Sequence, residues 1–131
     1  MTEEKRALVE YRLGRARETL NEAKILFDAG KMNAYVNRLY YACFYAVSAL
    51  LLTRNFSTSK HGYLRSLLHR EFIKTGLIPK VQGDHFDLLF DSRHKGDYED
   101  FVKFDAKDVA GWLKPTEEFV FHIDRLIQKI E

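Results

Sequence analysis

Residues Leu39 to Leu52 read LYYACFYAVSALLL, fourteen positions of which only Ser48 is not apolar. A helix that is apolar on nearly every side has no face to give to water, so it belongs in the middle of a packed structure. A bilayer span needs about 20 apolar residues. This run is shorter and is flanked closely by Arg38 and Arg54, which argues against a membrane crossing and leaves the central helix of an all-α bundle. The other segments then have to supply its wrapping.

Composition agrees with that reading. The chain has 131 residues, 46% hydrophobic and 31% charged, which fits one domain spanning 1–131, with a single core and a charged coat. Basic residues exceed acidic ones by only two, 21 against 19, so no strong positive field announces a nucleic-acid partner, although RNA is permitted. Cys43 is the only cysteine and falls inside the apolar run; it reads as a small core side chain rather than a nucleophile. The N-terminal MTEEKRALVEYRLG lacks the apolar segment of a secretion signal, so a cytoplasmic protein is expected.

Upstream of the run, Leu13, Ala16, Leu20, Ala23 and Leu26 or Phe27 recur by threes and fours over Glu3 to Ala29, the spacing of a long amphipathic helix. Gly30 predicts a left-handed stop and Asn33 a cap for a second, antiparallel helix over 33–53. Downstream, the hydroxyls of NFSTS (Asn55 to Ser59) can accept from free amides at the start of a third helix, Lys60 to Ile73, which Thr75, Gly76 and Pro79 end. A fourth helix is expected over Val81 to Lys95, then a loop over Gly96 to Asp105. Asp105 is expected to cap a final helix that runs to Ile130 and kinks at Pro115. The expected architecture is an up-down bundle of four principal helices plus a short extra one. Its apolar surface exceeds what one small bundle needs, which points to a symmetric homodimer.

The five histidines contain no pair three to five residues apart, and no phosphate-cradling glycine loop or Gly-x-Ser-x-Gly is present, so no metal, cofactor or hydrolase template is expected. Three polar groupings remain. In DSRHKGDYED, Asp91 to Asp100, a continuing helix would put Arg93 and Asp97 on one face beside Tyr98. That is either a solvated ion pair with Tyr98 packed over the bundle end, or an arginine open to a groove that binds a phosphate. Asn37, Arg38, Tyr40 and Tyr41 border the apolar run, where Arg38 either meets a carboxylate such as Asp97 or binds a ligand. Lys60 and His61 stand where a helix start favours an anion.

Three of these segments, in order along the chain, resemble HEPN-domain proteins. Asn37-Arg38-Leu39-Tyr40-Tyr41-Ala42-Cys43-Phe44-Tyr45-Ala46 is similar to that family's Arg-x-Tyr-Tyr-Ala-x-Phe-Tyr helix. Ser59-Lys60-His61 with Glu71-Phe72-x-x-Thr75-Gly76 looks like its third-helix segment, and Arg93-x-x-x-Asp97-Tyr98 like its late arginine and Asp-Tyr signature. The resemblance implies a dimeric helical bundle that acts with a small nucleotidyltransferase in a toxin-antitoxin pair. In the family's ribonucleases an arginine is followed, after four to six residues, by a histidine, and the two cleave RNA without metal across a dimer cleft. Here four intervening residues from Arg93 lead to Tyr98, and neither Glu99 nor Asp100 supplies the histidine.

The resemblance therefore implies a protein that binds a nucleotide or RNA phosphate through Arg93, Asp97 and Tyr98, with Arg38, Tyr41, Lys60 and His61 as further ligand contacts. Its enzymatic rival is a ribonuclease in which Tyr98, Asp97 or His61 takes over proton transfer, and the third reading is a scaffold whose polar cluster is structural. The exposed position expected for Tyr98 would also make it a target for modification by the partner transferase.

Overall fold

The computed structural model describes residues 1–130. Its helices are α1 (Glu3–Asp28), α2 (Met32–Leu52), α3 (His61–Leu68), α4 (Lys80–Tyr98), α5 (Ala106–Val109) and α6 (Leu113–Ile130), with no strand among the described residues. A π-helical turn, His69–Ile73, extends α3, and a 3-10 turn, Ala110–Trp112, joins α5 to α6. The four long helices α1, α2, α4 and α6 with the shorter α3 form the expected all-α bundle.

The apolar run sits where its composition demands. α2 packs against α1, α3, α4, α5 and α6, and Leu39, Tyr40, Ala42, Cys43, Ala46, Val47, Ala49 and Leu50 have no exposed surface. Burial pushes the Cys43 thiol well above its ordinary range, so it stays protonated and packs as a small apolar group. α1 starts at Thr2, whose hydroxyl accepts from Lys5 N at 3.1 Å, with Glu3 and Glu4 in the first turn where the helix dipole favours them. Gly30 closes the α1–α2 connection at φ 76°, a conformation that costs glycine little.

Four local expectations are corrected. α2 begins one residue before Asn33, and Asn33 does not cap it: its amide crosses to the chain after α4, donating to Val102 O at 2.8 Å and accepting from Phe104 N at 3.0 Å. α4 continues past Lys95 to Tyr98, and Gly96 within it leaves room for the Phe104 ring, which an added Cβ would approach to 2.8 Å. Asp105 caps only the single turn α5, accepting from Lys107 N at 3.1 Å. The final helix is divided rather than kinked: a 3-10 turn precedes it, and Pro115 lies in the first turn of α6, where a missing amide leaves no helical bond unmade.

Candidate functional site

The inner stripe of α4 runs Phe86, Leu89, Arg93, all buried, so the heptad position that carries apolar side chains one and two turns earlier carries a guanidinium here. Arg93 is only 6% exposed. It therefore does not open on a groove in the single chain, contrary to the phosphate-binding expectation. Three tyrosine rings surround it: Cζ stands 4.8 Å from the centroid of Tyr40, 5.7 Å from Tyr41 and 5.7 Å from Tyr98, an electrostatically favourable cage for a desolvated cation. Its one carboxylate among the described residues, Asp97 Oδ2, is 3.7 Å from Nη1, and its Nε is buried without a hydrogen-bond partner.

Asp97 is at the surface and joins Arg93 to a second group. Its Oδ2 accepts from Asn37 Nδ2 at 2.8 Å, and Asn37 Oδ1 accepts from Arg38 Nε and Nη2 at 3.0 and 2.7 Å. Arg38 also reaches Glu22 Oε1 at 3.4 Å and lies 5.1 Å over the Tyr41 ring. The carboxylate expected for Arg38 is thus Glu22, with Asn37 between Arg38 and Asp97. Tyr98 is 68% exposed, with His94 against its other side at 5.1 Å.

His61, far from Arg93 in sequence, is the finding that the spacing of motifs did not provide. Asn55 at φ 68° turns the chain after α2, and Lys5 Nζ fixes that turn through Asn55 Oδ1 at 2.7 Å. The returning segment sets His61 at the start of α3, stacked on Phe44 at 4.5 Å. Its Nδ1 is 2.7 Å from the Tyr40 hydroxyl, so the ring that carries Arg93 on its face carries His61 on its oxygen. Lys60 is exposed at the N-cap, and its backbone N donates to Thr58 Oγ1 at 3.1 Å.

The protonation of this trio follows from burial. Tyr40 has no exposed surface, and desolvation raises its pKa strongly, so its hydroxyl keeps its proton and must place it on an acceptor. His61 is held below its usual pKa, first by burial and then by the positive charge of Arg93, and is neutral near pH 7. The assignment that satisfies both groups has Tyr40 donating to Nδ1, which puts the imidazole proton on Nε2. No described residue accepts it. The outward edge of His61 is then a hydrogen-bond donor, suited to a phosphate oxygen and not to removing a proton.

Comparison with known proteins agrees with the sequence motifs. The family model described as the HEPN domain matches residues 9–126. A Thermotoga maritima protein named "UPF0332 protein" is 41% identical over 128 residues, covering 98% of this chain and 97% of its own. Two Methanocaldococcus jannaschii proteins are also similar. One, named "Putative toxin MJ0605", is 32% identical over 98% of this chain and 92% of its own; the other, named "Putative toxin MJ0142", is 28% identical over 80% and 71%.

Proposed function

Because the chain belongs to the HEPN family, we propose that it is the toxin-type member of a toxin-antitoxin module, a homodimer that binds an RNA or nucleotide phosphate and acts with a nucleotidyltransferase partner. Two relatives with toxin in their names support the module. The observation that carries the binding reading is the junction at Tyr40, which ties the Nε2 donor of His61 to the buried charge of Arg93. Arg93 lends positive potential from behind the aromatic wall while Arg38, 27% exposed in its side chain, and Lys60 offer charge at the surface. Asp97 positions Arg93 and Asn37.

A metal-independent ribonuclease is the second reading, favoured by the approach of His61 to the arginine's own partner ring. One experiment separates the two. A labelled single-stranded oligoribonucleotide, titrated without divalent metal, should bind the wild-type chain and bind His61→Ala at least about tenfold more weakly, the loss of one charged hydrogen bond. Intact RNA on a denaturing gel supports binding alone; fragments that disappear with His61→Ala support cleavage. Absence of any association in the wild type refutes both.

The partner has its own test at Tyr98, whose exposed ring also lies against Arg93. Co-expression with the product of the neighbouring gene, which this reading requires to be a nucleotidyltransferase, should add a nucleotidyl mass that Tyr98→Phe abolishes. An unchanged mass removes that part of the proposal, and a single-chain mass in light scattering removes the dimer.

A further inference from the structure

A separate cavity of about 500 Å³ lies between α1, α2 and the segment entering α3, with Arg12, Arg15, Tyr45, Ser48, Ser59 and His61 on its walls. Arg12 and Arg15 are three residues apart on α1 and so point to the same side. Arg12 Nη1 donates to Ser48 O at 3.2 Å. Arg15 Nη2 donates to the Tyr45 hydroxyl at 3.2 Å, with its Cζ 4.9 Å over the Tyr45 ring.

What these two share is guanidinium charge that meets no carboxylate, gathered on the walls of one cavity. Arg17, Arg38, Arg54, Arg65, Arg70 and Arg93 each face a carboxylate within 4.0 Å. Among the described residues Arg12, Arg15 and Arg125 do not, and of these Arg12 and Arg15 line the same cavity while Arg125 lies beside a different one. Burial depresses the Arg12 pKa, the mark of a cation partly stripped of water without an anion to replace it. Each guanidinium retains donors that no protein group uses. Aromatic rings from Tyr11, Phe44 and Tyr45 form the apolar side of the same cavity, and its size is that of a small-ligand pocket. Arg15 is held instead by tyrosines, its pKa raised first by the Tyr11 hydrogen bond and then by Tyr45. Two arginines without a carboxylate contact, flat aromatic faces and hydroxyls together match a ligand that is anionic at one end and planar at the other.

We propose that this cavity is a nucleotide subsite, in which Arg12 and Arg15 hold a phosphate and the base lies against the aromatic wall. It meets the face assigned above only at His61, and rests on that assignment only for the idea that the ligand belongs to an RNA strand. A free nucleoside phosphate offers the same chemistry.

The test uses the full chain with two probes, ATP and a short single-stranded oligoribonucleotide, titrated at low salt without divalent metal. Wild type should bind at least one of them. Arg12→Gln/Arg15→Gln should weaken that probe by about tenfold or more, while Arg125→Gln/Lys129→Gln, which removes the same charge beside another cavity, should leave it unchanged. Binding of ATP identifies a free-nucleotide site; binding of the oligonucleotide alone identifies a strand site. Equal weakening by both double variants, no effect of Arg12→Gln/Arg15→Gln, or no binding by wild type overturns the subsite. If the double variant fails to fold, Arg15→Gln alone decides, with the same outcomes. His61→Ala separates the proposals: loss with His61→Ala but not with Arg12→Gln/Arg15→Gln leaves the Tyr40 site standing without this one, and the converse leaves this one alone.

Discussion

Arg93→Met asks whether the caged guanidinium holds the fold together or serves the site. Taking the charge out of water costs several kcal/mol, and the orphaned Nε adds about 1–3 kcal/mol. Against this stand three tyrosine faces at 4.8 to 5.7 Å, each contributing about 0.5–2 kcal/mol, and one carboxylate at 3.7 Å that contributes about 1 kcal/mol or less at the surface. The opposing sums are of similar size. Methionine would fill the same channel without the charge, and Asp97 would not be stranded, since it is at the surface and keeps its 2.8 Å bond from Asn37. Stability in urea should therefore change by no more than about 1 kcal/mol in either direction, a few degrees in Tm. A loss above about 3 kcal/mol, the usual signature of breaking a buried pair, would make Arg93 a structural element and refute the reasoning. The same variant should raise the His61 pKa, because the second cause of its depression is the Arg93 charge; an NMR titration that does not move would sever the proposed link through Tyr40.

Acid should destabilise the chain through two histidines. His61 and His85 are both held below the ordinary value, His85 by burial, with its Nε2 donating to Thr116 Oγ1 at 2.8 Å. The unfolded chain takes up these protons first, so their contribution is complete above about pH 6.5 and is lost as pH falls through the depressed folded values. Melting temperatures from pH 8 to 5 should reveal that decline, and an undiminished decline in His61→Gln/His85→Gln would contradict it. Asn33→Ala removes two hydrogen bonds to the segment after α4 and should cost about 1–3 kcal/mol, with faster amide exchange at Phe104; unaltered exchange there would mean that the Phe104 ring alone holds the segment.

How far the sequence determines this protein is visible residue by residue. The saturated run Leu39–Leu52 and the stripe Leu13, Ala16, Leu20, Ala23 fix two helices and which face each buries, because a 3.6-residue period is a local property. The π-helical end of α3, the division before α6 and the use of Asn33 depend on packing partners distant in sequence. The burial of Arg93 is legible in principle, since it continues the stripe Phe86, Leu89 at helical spacing, but a charged side chain at that position predicts solvent unless its partners are known. Arg12 and Arg15 border the buried residues Val9, Leu13 and Ala16, a hint of half-burial that could not reveal an absence of carboxylates across the gap. The meeting of His61 with Arg93 on the two sides of Tyr40 was decided by tertiary structure alone. It requires the left-handed turn at Asn55 and the docking of α3 and α4 against α2, and long-range contacts of that kind leave no period in the chain from which to read them.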